Sequence, residues 1–190
     1  MTDAPPPLRG SPENALRLFF AITAPDHVKE RLLRVQGEVG NDWRLVKPNQ
    51  LHLTMAFLGE VPPTDLERVK GAGERVGEKF YPFEVTLSET GAFPNIRDPR
   101  IWFVEARASQ LPEIAALLQE SLKAWCDPKP FHPHLTLARR RADHARFVLA
   151  RIDRTWVVDH LELVQSILTA RGPEYSVVSR FPFKTVIPAL

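Results

Sequence analysis

A single cysteine, Cys126, is present among 190 residues. That excludes an internal disulfide and fits a reducing, cytoplasmic setting. Cys126 ends a helical pattern beside Trp125 and reads as packing rather than as a nucleophile. No apolar run approaches the roughly 18 to 20 residues that cross a bilayer, so no membrane association is expected. The opening stretch from Met1 to Asn14 lacks the basic and apolar regions of a secretory signal. Its prolines and small residues read as a disordered tail over residues 1–13. Net charge is also scarce, only +2 with the histidines neutral, too little for indiscriminate nucleic-acid binding. Metal-ligating patterns are missing: there is no Cys cluster and no His-Glu-x-x-His spacing. His132-Pro133-His134 is an imaginable edge of a metal site but has no evident third and fourth ligands, so neither metal nor cofactor is expected. The remaining composition, 44% hydrophobic and 25% charged, is that of an ordinary soluble globular chain.

Against this plain background one pattern occurs twice. His52-Leu53-Thr54-Met55-Ala56-Phe57 and His134-Leu135-Thr136-Leu137-Ala138-Arg139 share residue order and alternate polar with apolar residues. Period-two alternation is the mark of a half-buried strand. It puts His52, Thr54 and Ala56 on one face and Leu53, Met55 and Phe57 on the other, making Phe57 a core residue. His134, Thr136 and Ala138 are opposed to Leu135 and Leu137 in the same way. Each strand thus offers an imidazole and a hydroxyl about 7 Å apart on one face. Two imidazoles, one taking a proton and one giving it, equip a chain for phosphoester chemistry without a metal. A hydroxyl two residues away can bind a nonbridging phosphate oxygen. The other histidines, His27, His144 and His160, sit in unremarkable contexts.

The rest of the chain falls into alternating elements. A strand is expected from Leu16 to Ile22, then an amphipathic helix from Pro25 to about Val39 burying Val28, Leu32, Leu33 and Val35. Asn41 to Asn49 reads as a loop, and a helix from Pro63 is expected to break or end around Gly71 to Gly77. Strands at Phe83–Leu87 and Ile101–Val104 flank a loop from Gly91 to Arg100, and a clear helix covers Leu111 to Trp125. Asp127 to Pro130 is a breaker. After the second motif come a short helix around Asp143 to Ala150, one long strand from Trp156 to Leu168, a Gly172-Pro173 turn and a last strand from Tyr175 to Phe181. Strand, helix, motif strand, helix therefore appears twice, with the motif histidines 82 positions apart. Such a repeat points to a duplicated lobe with pseudo-twofold symmetry. Eighteen of the 25 basic residues are arginine, which suits phosphate contact. Arg139 shares a strand with His134, whereas Arg146, Arg151 and Arg154 read as a solvated face. Trp43, Phe93 and Tyr175 are each candidates either to stack on a base or to pack.

At this point the chain resembles a known family. The stretches Val46 through Thr54, Phe57-Leu58-Gly59-Glu60, Gly91-Ala92-Phe93-Pro94, Phe131 through Arg139 and Gly172-Pro173-Glu174-Tyr175 resemble the two-histidine (2H) phosphoesterases, within the RNA 2′,3′-cyclic phosphodiesterases once called 2′-5′ RNA ligases. Asn49-Gln50 departs from the family, where an acidic residue followed by Asn is common. The resemblance implies an α+β fold of two pseudo-symmetric lobes, each an antiparallel sheet with helices outside and a catalytic groove between. The domain would span residues 14–190 and act as a monomer.

The activity so implied is hydrolysis of an RNA 2′,3′-cyclic phosphate end to a 2′-phosphate. His52 would be the proton donor and His134 the proton acceptor, an assignment that comes from the resemblance alone because the motifs are symmetric. Thr54 and Thr136 would hold the phosphate and Arg139 balance its charge. Reverse 2′-5′ ligation is a secondary expectation. Alternatives are a phosphodiesterase for small cyclic nucleotides or ADP-ribose cyclic phosphate, and an RNA-end-binding module without chemistry.

Overall fold

A computed structural model describes residues 14–126, 129–141, 145–146, 148–170 and 172–185; the expected tail over 1–13 lies outside them. The elements are β1 (Leu16–Thr23), α1 (Asp26–Gln36), β2 (Trp43–Leu45), β3 (His52–Val61), α2 (Leu66–Lys79), β4 (Phe83–Phe93), β5 (Ile101–Arg107), α3 (Gln110–Ser121), β6 (His134–Arg140), β7 (Arg151–Val158), β8 (His160–Thr169) and β9 (Gly172–Pro182). All recorded strand pairs are antiparallel.

The strands form one nine-stranded sheet in the order β7-β4-β5-β6-β3-β1-β8-β9, with β2 added beside β6. That order is palindromic about its middle: β6 mirrors β3, β5 mirrors β1, β4 mirrors β8 and β7 mirrors β9. The two halves meet in a single residue pair, Leu53 opposite Leu135. One core cluster runs through both halves, with Leu53, Leu135, Phe20 and Trp102 each no more than 1% exposed. Helix α1 packs on β6 and β7, α3 on β3, and α2 on β8, β9 and α3. The helix following β1 thus packs on the opposite half, as does the helix following β5. This exchange interlocks the halves.

Five local expectations are corrected. Trp43–Leu45 is a strand rather than loop, because β6 pairs with it through Ala138 to Arg140. Leu33 is 38% exposed while Val28, Leu32 and Val35 are fully buried, so the stripe of α1 is narrower than its leucines imply. Helix α2 runs unbroken through its glycines. A Cβ on Gly73 would lie 2.4 Å from the Phe181 ring, and one on Gly77 2.7 Å from the Pro182 carbonyl oxygen. Those glycines admit β9 to the helix surface rather than end the helix. The long strand expected from Trp156 to Leu168 is two strands on opposite halves, β7 on β4 and β8 on β1, with the chain crossing at Asp159. Finally, the described part of the stretch from 143 to 150 is irregular, not helical. It is stitched to β4, with the Thr90 amide donating to Ala150 O at 2.9 Å and the Thr90 hydroxyl to Val148 O at 2.8 Å. Residues 142–144 and 147 lie outside the described residues.

Candidate active site

The register that joins the halves also assembles the site. In an antiparallel pair with Leu53 opposite Leu135, His52 falls across from Thr136, and Thr54 across from His134. The four polar residues form a quartet about the local twofold. They line a groove of about 550 Å3 together with Arg139 and Phe57.

Parity places Phe57 in the core, and the structure overturns this: its side chain is 46% exposed. The cause is a bulge. On β3, Thr54 pairs with Ala21 but Ala56 pairs with Phe20, so Met55 is extra. On β6, Thr136 pairs with Phe103 but Ala138 pairs with Trp102, so Leu137 is extra. Met55 and Ala56 both face the core, as do Leu137 and Ala138. A bulge re-aims every side chain that follows it. Phe57 and Arg139, at equivalent positions, are thereby brought to the face of the histidines. The Leu137 carbonyl accepts from the buried Gln36 side chain at 2.7 Å and from the Val46 amide at 2.8 Å, which pins this bulge. The Arg17 guanidinium lies 4.8 Å from the Phe57 ring centroid.

Both imidazoles are held alike. His52 Nδ1 donates to the carbonyl of Gln50 and His134 Nδ1 to the carbonyl of His132, each at 2.7 Å. A carbonyl can only accept, so each Nδ1 carries a proton and each Nε2 is the nitrogen free to exchange one. His52 Nε2 lies 3.1 Å from the Thr54 hydroxyl. Aromatic rings brace both: Phe19 and Tyr175 at 5.0 and 5.6 Å from His52, Phe93 and Phe103 at 5.0 and 5.4 Å from His134.

Burial pushes the His52 pKa down to about 4, with His134 and Arg139 adding to the fall and the Gln50 carbonyl and Glu162 opposing it. His134 is lowered as well, chiefly by burial and then by charge repulsion from His132 and Arg139, against the His132 carbonyl. Both shifts favour the neutral imidazole in the free protein.

Several groove residues had no signal in the motifs. Arg17, Arg44, Lys47 and Arg141 join Arg139 to make the walls strongly cationic. For the arginines the hint was their abundance, and for Lys47 its place in the Val46 through Thr54 stretch that resembles the family. Of the aromatic candidates, Tyr175 lines the groove, Trp43 is buried in the core, and Phe93 stacks on Phe103 at 4.2 Å. Arg146, Arg151 and Arg154 are exposed and do not line it. His27 is exposed on α1, His160 lies on β8 beside Glu162, and His144 is outside the described residues. Among the described residues no three His, Cys, Asp or Glu side chains cluster as a metal-binding group, and no helix is long and apolar enough to cross a membrane.

Comparison with known proteins agrees with this geometry. Residues 22–103 match the family model described as LigT like Phosphoesterase. An RNA 2′,3′-cyclic phosphodiesterase of Thermus thermophilus is 36% identical over 180 residues, covering 89% of this chain and 91% of that protein. One of Archaeoglobus fulgidus is 33% identical over 172 residues, covering 84% and 96%. Among solved structures, a Thermus thermophilus protein superposes with a TM-score of 0.83 at 36% identity, covering 88% of this chain and 98% of its own. Escherichia coli LigT complexed with 3′-AMP superposes at 0.78 with 27% identity, covering 90% and 100%. With its paired His-x-Thr strands and this likeness along nearly all the described chain, the protein belongs to the LigT-like, two-histidine phosphoesterase family.

Proposed function

We propose that this phosphoesterase hydrolyses RNA ends carrying a 2′,3′-cyclic phosphate, leaving a 2′-phosphate. The observation that carries the reading is the quartet: two imidazoles with Nδ1 tied back and Nε2 free, each across the seam from a threonine hydroxyl. A phosphate at its centre would receive hydrogen bonds from Thr54 and Thr136 and meet the Arg139 charge. Neutral His134 takes a proton from water as the water oxygen bonds to phosphorus. The bond from phosphorus to the 3′-oxygen breaks in line, and protonated His52 delivers its proton to that oxygen. The anionic phosphodiester provides the charge that favours an imidazolium in so buried a place. A 5′-hydroxyl in place of the water would bond to the same phosphorus as the 3′-oxygen leaves, giving a 2′-5′ linkage.

An RNA chain suits the groove better than a small cyclic nucleotide. Five cationic side chains, Arg17, Arg44, Lys47, Arg139 and Arg141, exceed what one phosphate needs, and Phe57 offers an aromatic surface to a base. The names of the curated relatives support the same reading.

The test is an RNA oligonucleotide ending in a 2′,3′-cyclic phosphate, incubated with the protein in EDTA, with the product identified by phosphate regiochemistry. A 2′-phosphate product is expected, with His52→Ala and His134→Ala each slower by ~100-fold or more. A 3′-phosphate product, or a cyclic mononucleotide turned over far faster than the oligonucleotide, would overturn the assignment.

A further inference from the structure

A small second cavity of about 160 Å3 lies against His52, lined also by Phe19, Thr23, Tyr175, Glu162 and Arg180. Glu162, on β8, is only 4% exposed. Burying a carboxylate is costly unless its charge is held. Here the Thr23 hydroxyl donates to Oε2 at 2.6 Å and Arg180 Nε to Oε1 at 2.9 Å. His160 Nε2 lies 3.6 Å from Oε1. These donors keep Glu162 ionised, with its pKa lowered to about 2, His160 first among the causes. The Arg180 side chain is 67% exposed, so water screens its charge far better than that of the carboxylate it meets.

The strand registers set this carboxylate close to the histidine. On β1, Thr23 pairs with His52 of β3, and Ala21, two residues back on the same face, pairs with Glu162 of β8. The other half has no carboxylate at the equivalent position; Glu105, which pairs with His134, is 34% exposed and is held by Arg107 and Ser88. Ala21, opposite Thr54, corresponds to Phe103, opposite Thr136, and the partner of Phe103 on β4 is Gly91. Where one half carries Glu162, the other carries a glycine, and its space is filled by the Phe103 ring, 2.8 Å from where a Cβ would be.

We propose that Glu162 is a positioning residue that holds the proton on His52 for delivery to the leaving oxygen, an inference that rests on the donor reading of His52 given above. Among the described residues that act on His52, Glu162 is the one carboxylate. From β6 come His134 and Arg139, both opposing a charged imidazole; from β9 comes the Tyr175 phenol; from the preceding turn comes the Gln50 carbonyl; from β8 comes Glu162. Arg17 and Lys47 add positive charge along the same groove. No carboxylate is among the groups that shift His134. A carboxylate that favours the charged form of His52 thus lies outside both His-x-Thr motifs.

The experiment is an NMR titration of the His52 and His134 imidazoles in the wild-type protein, Glu162→Gln and Arg180→Met, alongside pH profiles of kcat and KM. Glu162→Gln keeps an oxygen for Thr23 and removes the charge. The expected result is a His52 midpoint moved to lower pH with His134 nearly still. The alkaline limb of kcat should move the same way, with kcat at pH 7.5 falling about tenfold and KM little changed. Arg180→Met removes a positive charge and is expected to move His52 the opposite way. An unmoved His52 midpoint in folded Glu162→Gln, or a rate loss uniform across pH, would overturn the proposal. So would displacement of His52 in the same direction by both variants. The titration needs no substrate, so failure of RNA hydrolysis by the wild-type protein would strike the functional reading separately.

Discussion

In one half of the sheet β3 presents His52, Thr54 and, beyond its bulge, Phe57; in the other β6 presents His134, Thr136 and, beyond the same bulge, Arg139. The halves agree in what acid–base chemistry and phosphate binding need: imidazole, tethered Nδ1 and hydroxyl. They differ at the position that the bulge re-aims and at the position flanking the neighbouring strand. One half has an aromatic ring and a buried carboxylate, the other an arginine and a glycine. In-line displacement is itself asymmetric, because one oxygen enters as another leaves. A wholly symmetric site would accept the phosphodiester in two orientations. On the proposal above, the unlike residues around the symmetric quartet give it a direction.

The strongest test of the comparison is to remove each histidine and follow the residual rate with pH. His52→Ala and His134→Ala are each expected to cost ~100- to 10,000-fold in kcat. Losing a required acid should abolish the alkaline limb, and losing a required base the acid limb. In the wild-type protein both free-enzyme pKa values are lowered, His52 to about 4. The base must be neutral and the acid protonated, so the optimum of kcat/KM is expected below pH 6.5, the unperturbed imidazole value. An optimum above 7.5 would show that the two imidazoles are not buried as described.

The threonines probe the symmetric part. Thr54→Val and Thr136→Val are expected to lower kcat by about 100-fold each, as for loss of one donor to a developing charge. A loss confined to one of them would show that the phosphate sits off the local twofold. The residues beyond the bulges probe the asymmetric part. Phe57→Ala is expected to raise KM for an oligonucleotide about tenfold, from the roughly 1 to 3 kcal/mol of a base–aromatic stack, while leaving a cyclic mononucleotide phosphate's kcat nearly unchanged. Arg139→Ala should instead lower kcat on both. Smallest in its effect on chemistry is Gln36→Met, which strips one donor from the Leu137 carbonyl at the β6 bulge. Thermal unfolding is expected to show a loss of about 1 to 3 kcal/mol, and the kinetic signature should resemble a mild Arg139 defect.

Much of this molecule was legible from its residues because the signals were local. A period of two identified β3 and β6, the apolar spacing identified α1 and α3, and the repeated His-x-Thr order singled out His52, Thr54, His134 and Thr136 without reference to any fold. The 82-residue offset between the histidines announced a duplication. The limits were set where a distant partner decides. Parity held only as far as Thr54 and Thr136, because an extra residue in a strand is visible only against the register of its neighbour. Phe57 therefore read as core, and nothing in the alternation explained how Arg139 reaches the histidines. Trp43–Leu45 is too short to signal itself and is a strand only because β6 is beside it. Gly73 and Gly77 looked like a helix end because their use, admitting Phe181 and Pro182, lies about a hundred residues away. Glu162 was one more carboxylate on an apolar strand.

The sequence by itself determined the chemistry available to this protein, since imidazole and hydroxyl at a two-residue spacing share a strand face whatever surrounds them. Only the tertiary structure decided how that chemistry is oriented. Which strand lies next to which, and in what register, sets where charge is buried and where a side chain is turned, and both depend on residues far apart along the chain.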